Sequence, residues 1–146
     1  MKQDFTTSFL VDATPAEVFT AINDVRSWWT DDFKGSSEKL NDEFSVQFED
    51  LHYSEHKLIE FEQDKKVAWL VTDSNLSFLK NTTEWNNTTN VFTVKRQDDK
   101  TLLEFTHVGL VPDAECYNGC TKGWTYFING SLYKLLTEGK GTPGMM

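Results

Sequence analysis

Three histidines, two cysteines and five tryptophans are the residues of this chain best suited to chemistry or to stacking on a flat molecule. His52 and His56 lie four apart in strand-like sequence, where even spacing shares a face. A metal would need a third ligand, and Glu60 is next on that parity. The spacing does not match H-E-x-x-H, and the pair reads as part of a solvated sheet face. His107 differs. Alternation along Thr101–Gly109 turns Glu104 to water and Leu103, Phe105 and His107 inward. An inward histidine near the sheet rim could hydrogen-bond a ligand or act as a general base. It could equally be satisfied by a backbone carbonyl or a neighbour.

Cys116 and Cys120 share one face of a helix at their spacing. They form no C-x₂-C pair for zinc, and a helix holds such a pair poorly for a disulfide. They read as two small apolar core residues. No G-x-S-x-G elbow and no glycine-rich phosphate loop occurs. Asp31-Asp32 and Asp98-Asp99 sit in turns, where solvation explains them. The sequence therefore assigns no catalytic residue, no metal ligand and no cofactor. The indoles carry more. Trp69, on a strand, and Trp124, on a helix, are expected to face each other across the interior, and Trp85 begins a strand. A buried indole needs a partner for its N–H, which suits a cavity wall as well as a packed core. Trp28 and Trp29 are expected to stack against the helix. The candidate ligand contacts are Trp69, Trp85, Phe105, His107, Trp124 and Phe127.

The elements that must position these residues follow from periodicity. Phe5–Val11 alternates as a strand. Thr14-Pro15-Ala16-Glu17 opens a helix, with a capping threonine, proline at the first helical position and glutamate completing a capping box. Val18, Ala21, Ile22 and Val25 continue it at helical spacing. Strand signals run from Phe33 to Leu110: Phe44, Val46 and Phe48 alternate with polar residues, and two hairpins turn at 63–66 and 98–100. Asp73–Thr83 reads as a polar loop carrying Leu76, Phe78 and Leu79, an odd cargo that suggests a gate. From Asp113, a potential cap, a stripe through Cys116, Cys120, Trp124, Phe127, Ile128, Ser131, Leu132 and Leu135 predicts a long helix, ended by Gly139. Gly119, Gly123 and Gly130 lie inside it and mark close approach or a bend.

Strand, short helices, about six to seven antiparallel strands and a long C-terminal helix make an α+β chain. The helix must bury its stripe on the sheet, and a curved sheet leaves a pocket between the two. The 146 residues suit one domain, 1–146. A net charge of −9 disfavours nucleic acid as a partner. No stretch approaches a membrane span, and MKQDFTTSF lacks the apolar run of a secretory signal, so a cytoplasmic location is expected.

This order resembles the SRPBCC superfamily (START-like, birch-pollen-allergen-like). Within it the chain is similar to the activator-of-Hsp90-ATPase-homologue family. The resemblance rests on Thr14-Pro15-Ala16-Glu17-Val18-Phe19, Trp28-Trp29, Val67-Ala68-Trp69 and Thr101 to His107. Its most specific piece is the tail: Gly123-Trp124, Phe127-Ile128, Ser131-Leu132, Leu135-Leu136 and Gly139-Lys140-Gly141-x-Pro143. The resemblance implies a helix-grip fold with a cavity between sheet and helix. It also implies that Trp28 and Trp29 lie near the cavity mouth. Superfamily members bind lipids, sterols, hormones and polyketides, and some catalyse reactions in the cavity. Three expectations follow: a binder of a small hydrophobic or aromatic molecule, a chaperone-associated interaction module, or a cavity enzyme using His107 as acid–base. The first is preferred, since no second polar catalytic partner can be placed inside. Oligomeric state is not legible.

Overall fold

The computed structural model describes residues 4–144. Residues 1–3 of the N-terminal MKQDFTTSF stretch lie outside them. Seven strands form one antiparallel sheet: β1 (Phe5–Val11), β2 (Phe33–Gly35), β3 (Glu43–Phe48), β4 (His52–Glu62), β5 (Lys66–Leu76), β6 (Thr89–Gln97) and β7 (Lys100–Val108). Their order is β1-β7-β6-β5-β4-β3-β2, so β2 to β7 form a meander and β1 closes onto the last strand. Two short helices, α1 (Pro15–Asn23) and α2 (Val25–Trp28), fill the crossover from β1 to β2. The expected capping box forms: Glu17 N–H donates to Thr14 Oγ1 at 3.1 Å, and Thr14 N–H donates to Glu17 Oε1 at 2.9 Å. Two of the orphan amides at the start of α1 are thereby satisfied.

The C-terminal helix is α3 (Tyr117–Trp124), a π-wound stretch (Thr125–Leu132) and α4 (Tyr133–Glu138), following one another without a break. It starts later than the stripe suggested. Residues 111–116 form turns, and Cys116, not Asp113, occupies the cap position. Gly119 and Gly130 do not mark close approach. A Cβ at either would meet nothing within 4 Å. Winding, rather than crowding, is what changes around Gly130. Close approach occurs instead in the tail. A Cβ at Gly141 would lie 2.5 Å from the Ser27 carbonyl oxygen and 2.9 Å from that of Ser131. Ser131 Oγ donates to the Trp28 carbonyl at 2.7 Å and accepts the Thr142 N–H at 2.7 Å. The tail thus pins the corner that carries Trp28 and Trp29.

Two bulges decide which side chains face inward. β4 and β5 slip register between Glu55 and His56 and again between Leu58 and Glu60. Ser54, His56 and Leu58 are buried in β4. Beyond the second slip the parity flips, and Phe61 packs inward against Phe19, ring centroids 5.1 Å apart. The expectation that His52 and His56 lie on a solvated face is therefore overturned. His56 is 1% exposed, and the solvent side of β4 carries Tyr53, Glu55 and Lys57. The parity drawn through Glu60 failed because the extra residue, Ile59, breaks the count.

Trp124, Phe127, Ile128 and Leu132 of the C-terminal helix are buried against the concave sheet face, with Leu135 partly so. Leu132 is fully buried. Leu132→Ala is expected to destabilise the fold by about 2–5 kcal/mol through lost transfer energy and the residual cavity. Urea unfolding checks this, and a loss well under 1 kcal/mol would show that the helix stands off the sheet.

Candidate functional site

The concave face is filled by a connected set of rings. Trp28 stacks on Trp29 with centroids 6.0 Å apart. Trp29 lies 4.9 Å from Trp124, and Trp124 stacks on Trp85 at 5.8 Å with planes 10° apart. Trp69 packs on both Trp28 and Trp29, at 6.3 and 6.1 Å. Trp69 and Trp124 do not face each other directly, because Trp29 sits between them. Phe92 and Phe105 continue the cluster behind, 4.8 Å apart. The centre of the grip is thus a packed aromatic core.

The open space lies at one end of it. A pocket of about 330 Å³ is walled by Trp29, Phe48, His52, Trp85, Trp124 and Phe127. Leu51 and Phe78 stand at its margin, 53% and 52% exposed, and Gly119, Cys120 and Gly123 form its helical side. Among the described residues no charged side chain lines it. A larger hollow, about 610 Å³, lies between α1 and the β2 region. Its walls include Asp24, Arg26, Glu38 and Gln63, which suit water better than an apolar guest.

Of the residues singled out from sequence, Trp85, Trp124 and Phe127 line the pocket. Trp69, Phe105 and His107 lie behind the wall and are fully buried. Trp85 does not begin a strand. It sits in the turns of residues 77–87 that precede β6. Trp29, which only the family resemblance placed near the mouth, and Phe48 join the wall, while His52 was missed as a wall residue. Phe48 was legible as an inward strand position, but nothing in the sequence showed that its end of the strand borders the open space. Of the loop's apolar cargo, only Phe78 reaches the mouth: Leu76 ends β5 in the core, and Leu79 packs partly against it.

The mouth is held by two carboxylates. Glu115 accepts the N–H groups of Lys80 and Asn81 at 2.8 and 3.1 Å, while Glu84 accepts those of Glu115 and Cys116 at 2.8 and 2.9 Å. These backbone bonds hold the Glu115 carboxyl below its usual range. The loop and the start of α3 are thereby tied reciprocally. Cys116 and Cys120 are joined as a disulfide beside this clamp, with Cα atoms 5.5 Å apart. Cys116 is buried in the core and Cys120 packs against it, as expected of small apolar residues, but the two are joined rather than separate. The pair falls at the very start of the helix, and its Cα separation lies within disulfide range.

His107 is saturated. Trp124 Nε1 donates to its Nδ1 at 3.0 Å. An indole nitrogen can only donate, so Nδ1 is bare and Nε2 carries the proton. Nε2–H then donates to Thr88 Oγ1 at 2.8 Å, and that hydroxyl donates to the Trp85 carbonyl at 2.6 Å. With both nitrogens engaged, His107 positions Trp124 and Trp85 and has none left to act on a ligand. His52 belongs to a second chain: its Nε2 lies 2.8 Å from Ser54 Oγ, which lies 2.8 Å from His56 Nε2. Among the described residues, Nδ1 of His56, Nε1 of Trp69 and Trp85 and both amide atoms of Asn90 are buried without a protein partner. No cluster of metal-ligating side chains is found among the described residues, and no helix there is long and apolar enough to cross a membrane.

A seven-stranded sheet gripping a C-terminal helix, with an aromatic pocket at one end, defines a helix-grip protein. The match to a family model fixes the assignment more narrowly. Residues 12–137 match the Activator of Hsp90 ATPase homolog 1-like protein family, and the chain belongs to it. Among solved structures it is similar to the Aha1 dimer from Colwellia psychrerythraea, with 21% identity, TM-score 0.78, and coverage of 95% of this chain and 99% of that one. A protein from Mesorhizobium loti shares 14% identity with TM-score 0.75, covering 96% and 100%. One from Staphylococcus saprophyticus shares 16% with TM-score 0.72, covering 96% of each. Likeness at these identities is one of fold. A search of the curated proteins returns no match.

Burial keeps all three imidazoles neutral. Desolvation pushes His52 and His107 down to about 3, and His56 well below its ordinary value. In the unfolded chain they titrate near 6.5. Between those limits the unfolded state binds more protons than the folded one. Stability is therefore full above about pH 6.5 and falls as pH drops toward 3. Each fully buried imidazole, His56 and His107, contributes a slope of up to about 1.4 kcal/mol per pH unit. Thermal midpoints are expected to hold from pH 8 to 7 and fall steadily below 6. A midpoint flat from pH 7 to 5 would mean that the imidazoles are hydrated in the folded state.

Proposed function

We propose that this chain binds a small, flat, apolar molecule in the pocket between the β3–β4 end of the sheet, the turns of residues 77–87 and the start of α3. The observation that carries the reading is the wall itself: Trp29, Phe48, Trp85, Trp124 and Phe127 surround about 330 Å³ with no charged side chain among the described residues. That volume lies at the low end of small-molecule sites. Aromatic faces favour flat guests through stacking and area burial. An anionic or strongly polar guest would lose its hydration without a counter-charge, at a cost of several kcal/mol. The rigidity of the core supports the reading, because the wall residues are braced from behind by packed rings and by the His107 chain. Such a pocket is largely formed before the guest arrives, which lowers the ordering cost of binding.

A substitution at the mouth tests this without disturbing the core. A Cβ at Gly119 would meet nothing within 4 Å, and the residue lies on the pocket's helical side. Gly119→Leu is expected to block the pocket while improving helix propensity by up to about 1 kcal/mol. Titration with the neutral fluorophore N-phenyl-1-naphthylamine should quench indole emission in the wild type, and at least tenfold more probe should be needed in Gly119→Leu. Absence of quenching in the wild type, or equal binding by the plugged variant at retained stability, overturns the reading.

A further inference from the structure

Among the described residues His52 is the one imidazole that lines the pocket, and the hydrogen-bond chain behind it determines what its second ring nitrogen offers. The Nε2 of His52 and the Nε2 of His56 share Ser54 Oγ, each at 2.8 Å. A hydroxyl carries one proton. It donates to one imidazole and accepts an N–H from the other, so two neutral rings must hold opposite tautomers. Both rings are neutral, since burial disfavours the charged form of each. His56 Nδ1 is sealed in the core with no protein partner, between Phe44, stacked at 4.9 Å, and the rings of Trp29 and Trp69. A buried orphan N–H is rarer and costlier than a buried bare lone pair. The proton of His56 therefore sits on Nε2 and points at Ser54. Ser54 donates onward to His52 Nε2, and His52 is left with its proton on Nδ1. Among the described residues that Nδ1 makes no hydrogen bond, and His52 lines the pocket half-buried.

Trp85 meets His52 edge to face, centroids 4.8 Å apart, but its Nε1–H is buried inside the wall, without a protein partner among the described residues, and is closed to a guest. The donor left to the pocket is thus the one on His52, in a cavity that no charged side chain lines among the described residues.

The geometry points to a specific ligand class: a flat apolar molecule bearing an uncharged hydrogen-bond acceptor, such as a carbonyl oxygen, received by His52 Nδ1–H, with Ser54 and His56 as positioning residues that fix the tautomer. This deepens the reading of the pocket as a binding site and rests on it. A carboxylate is disfavoured, because no cation lines the cavity among the described residues. A purely hydrocarbon guest would leave the His52 donor desolvated and unpaired.

Matched probes separate this inference from the broader one. Isothermal titration would compare 2-acetylnaphthalene with 2-ethylnaphthalene, which has nearly the same shape but no acceptor, and with 2-naphthoate. The ratio of acetyl to ethyl affinity is then compared between wild type and His52→Phe, which cancels the difference in hydration of the two probes. That ratio is expected to fall by about fivefold or more in His52→Phe, with ethylnaphthalene affinity changed less than twofold. Naphthoate should bind more weakly than acetylnaphthalene. An unchanged ratio, or naphthoate as the tightest guest, overturns the acceptor assignment while leaving an apolar pocket in place. Failure of all three probes to bind overturns both. A spectroscopic readout covers the case in which His52→Phe does not fold. In ¹⁵N-labelled wild type, long-range ¹H–¹⁵N correlation should show His52 protonated on Nδ1 and His56 on Nε2. Ser54→Ala should release that pairing and reduce the acetyl preference. The reverse tautomers in the wild type would overturn the assignment without any ligand.

Discussion

One buried hydrogen bond organises this molecule, from Trp124 on the C-terminal helix to His107 on β7. It joins the two layers of the grip at their centre, where both residues are almost completely buried. Because the indole can only donate, the bond fixes the histidine tautomer. The tautomer in turn directs the far nitrogen to Thr88 and, through it, to the backbone of Trp85. A single interaction thus sets the helix on the sheet and orients both stacked indoles of the pocket wall. Such a chain carries weight because an unpaired indole N–H or imidazole in that environment would cost the full desolvation penalty.

The aromatic cluster follows from this docking. With Trp124 held, Trp29 fills the space between it and Trp69, and the middle of the grip closes into packed rings. What stays open is the end of the sheet where the β3–β4 turn, the turns of residues 77–87 and the start of α3 meet. Those pieces are held by their own devices. Glu115 and Glu84 bind each other's backbone segments, and the Cys116–Cys120 pair sits at the helix start. The π-wound stretch at Thr125–Leu132 follows directly on the pocket-lining turn of α3. Wider winding at that point alters the azimuth of everything beyond it, so the helix can present Trp124 and Phe127 at the pocket and Ile128 and Leu132 to the core.

Much of the architecture could be read from local pattern. The β1 strand, the capping box of α1, the two hairpin turns, the inward parity of Leu103, Phe105 and His107, and the stripe of the last helix each depend on neighbours within a few residues. The site was less legible. Trp124, Phe127 and Trp85 were singled out because large rings near a helix–sheet interface border whatever space remains. Trp69 and Phe105 satisfied the same criterion, yet lie behind the wall. Inward direction and access to the cavity are separate properties, and alternation reports only the first.

The sequence by itself determined the helix-grip order, the acidic surface, and the aromatic and neutral character of the interior. These are sums over composition and short-range period, and no distant contact alters them. Only the tertiary structure decided where the space lies, that His52 rather than His107 lines it, and that His56 is buried. The reasons are physical. A single bulge at Ile59 reverses the face of every residue beyond it, and its position depends on the partner strand. The state of a histidine depends on which donors and acceptors, many residues away, are brought within about 3 Å of each ring nitrogen.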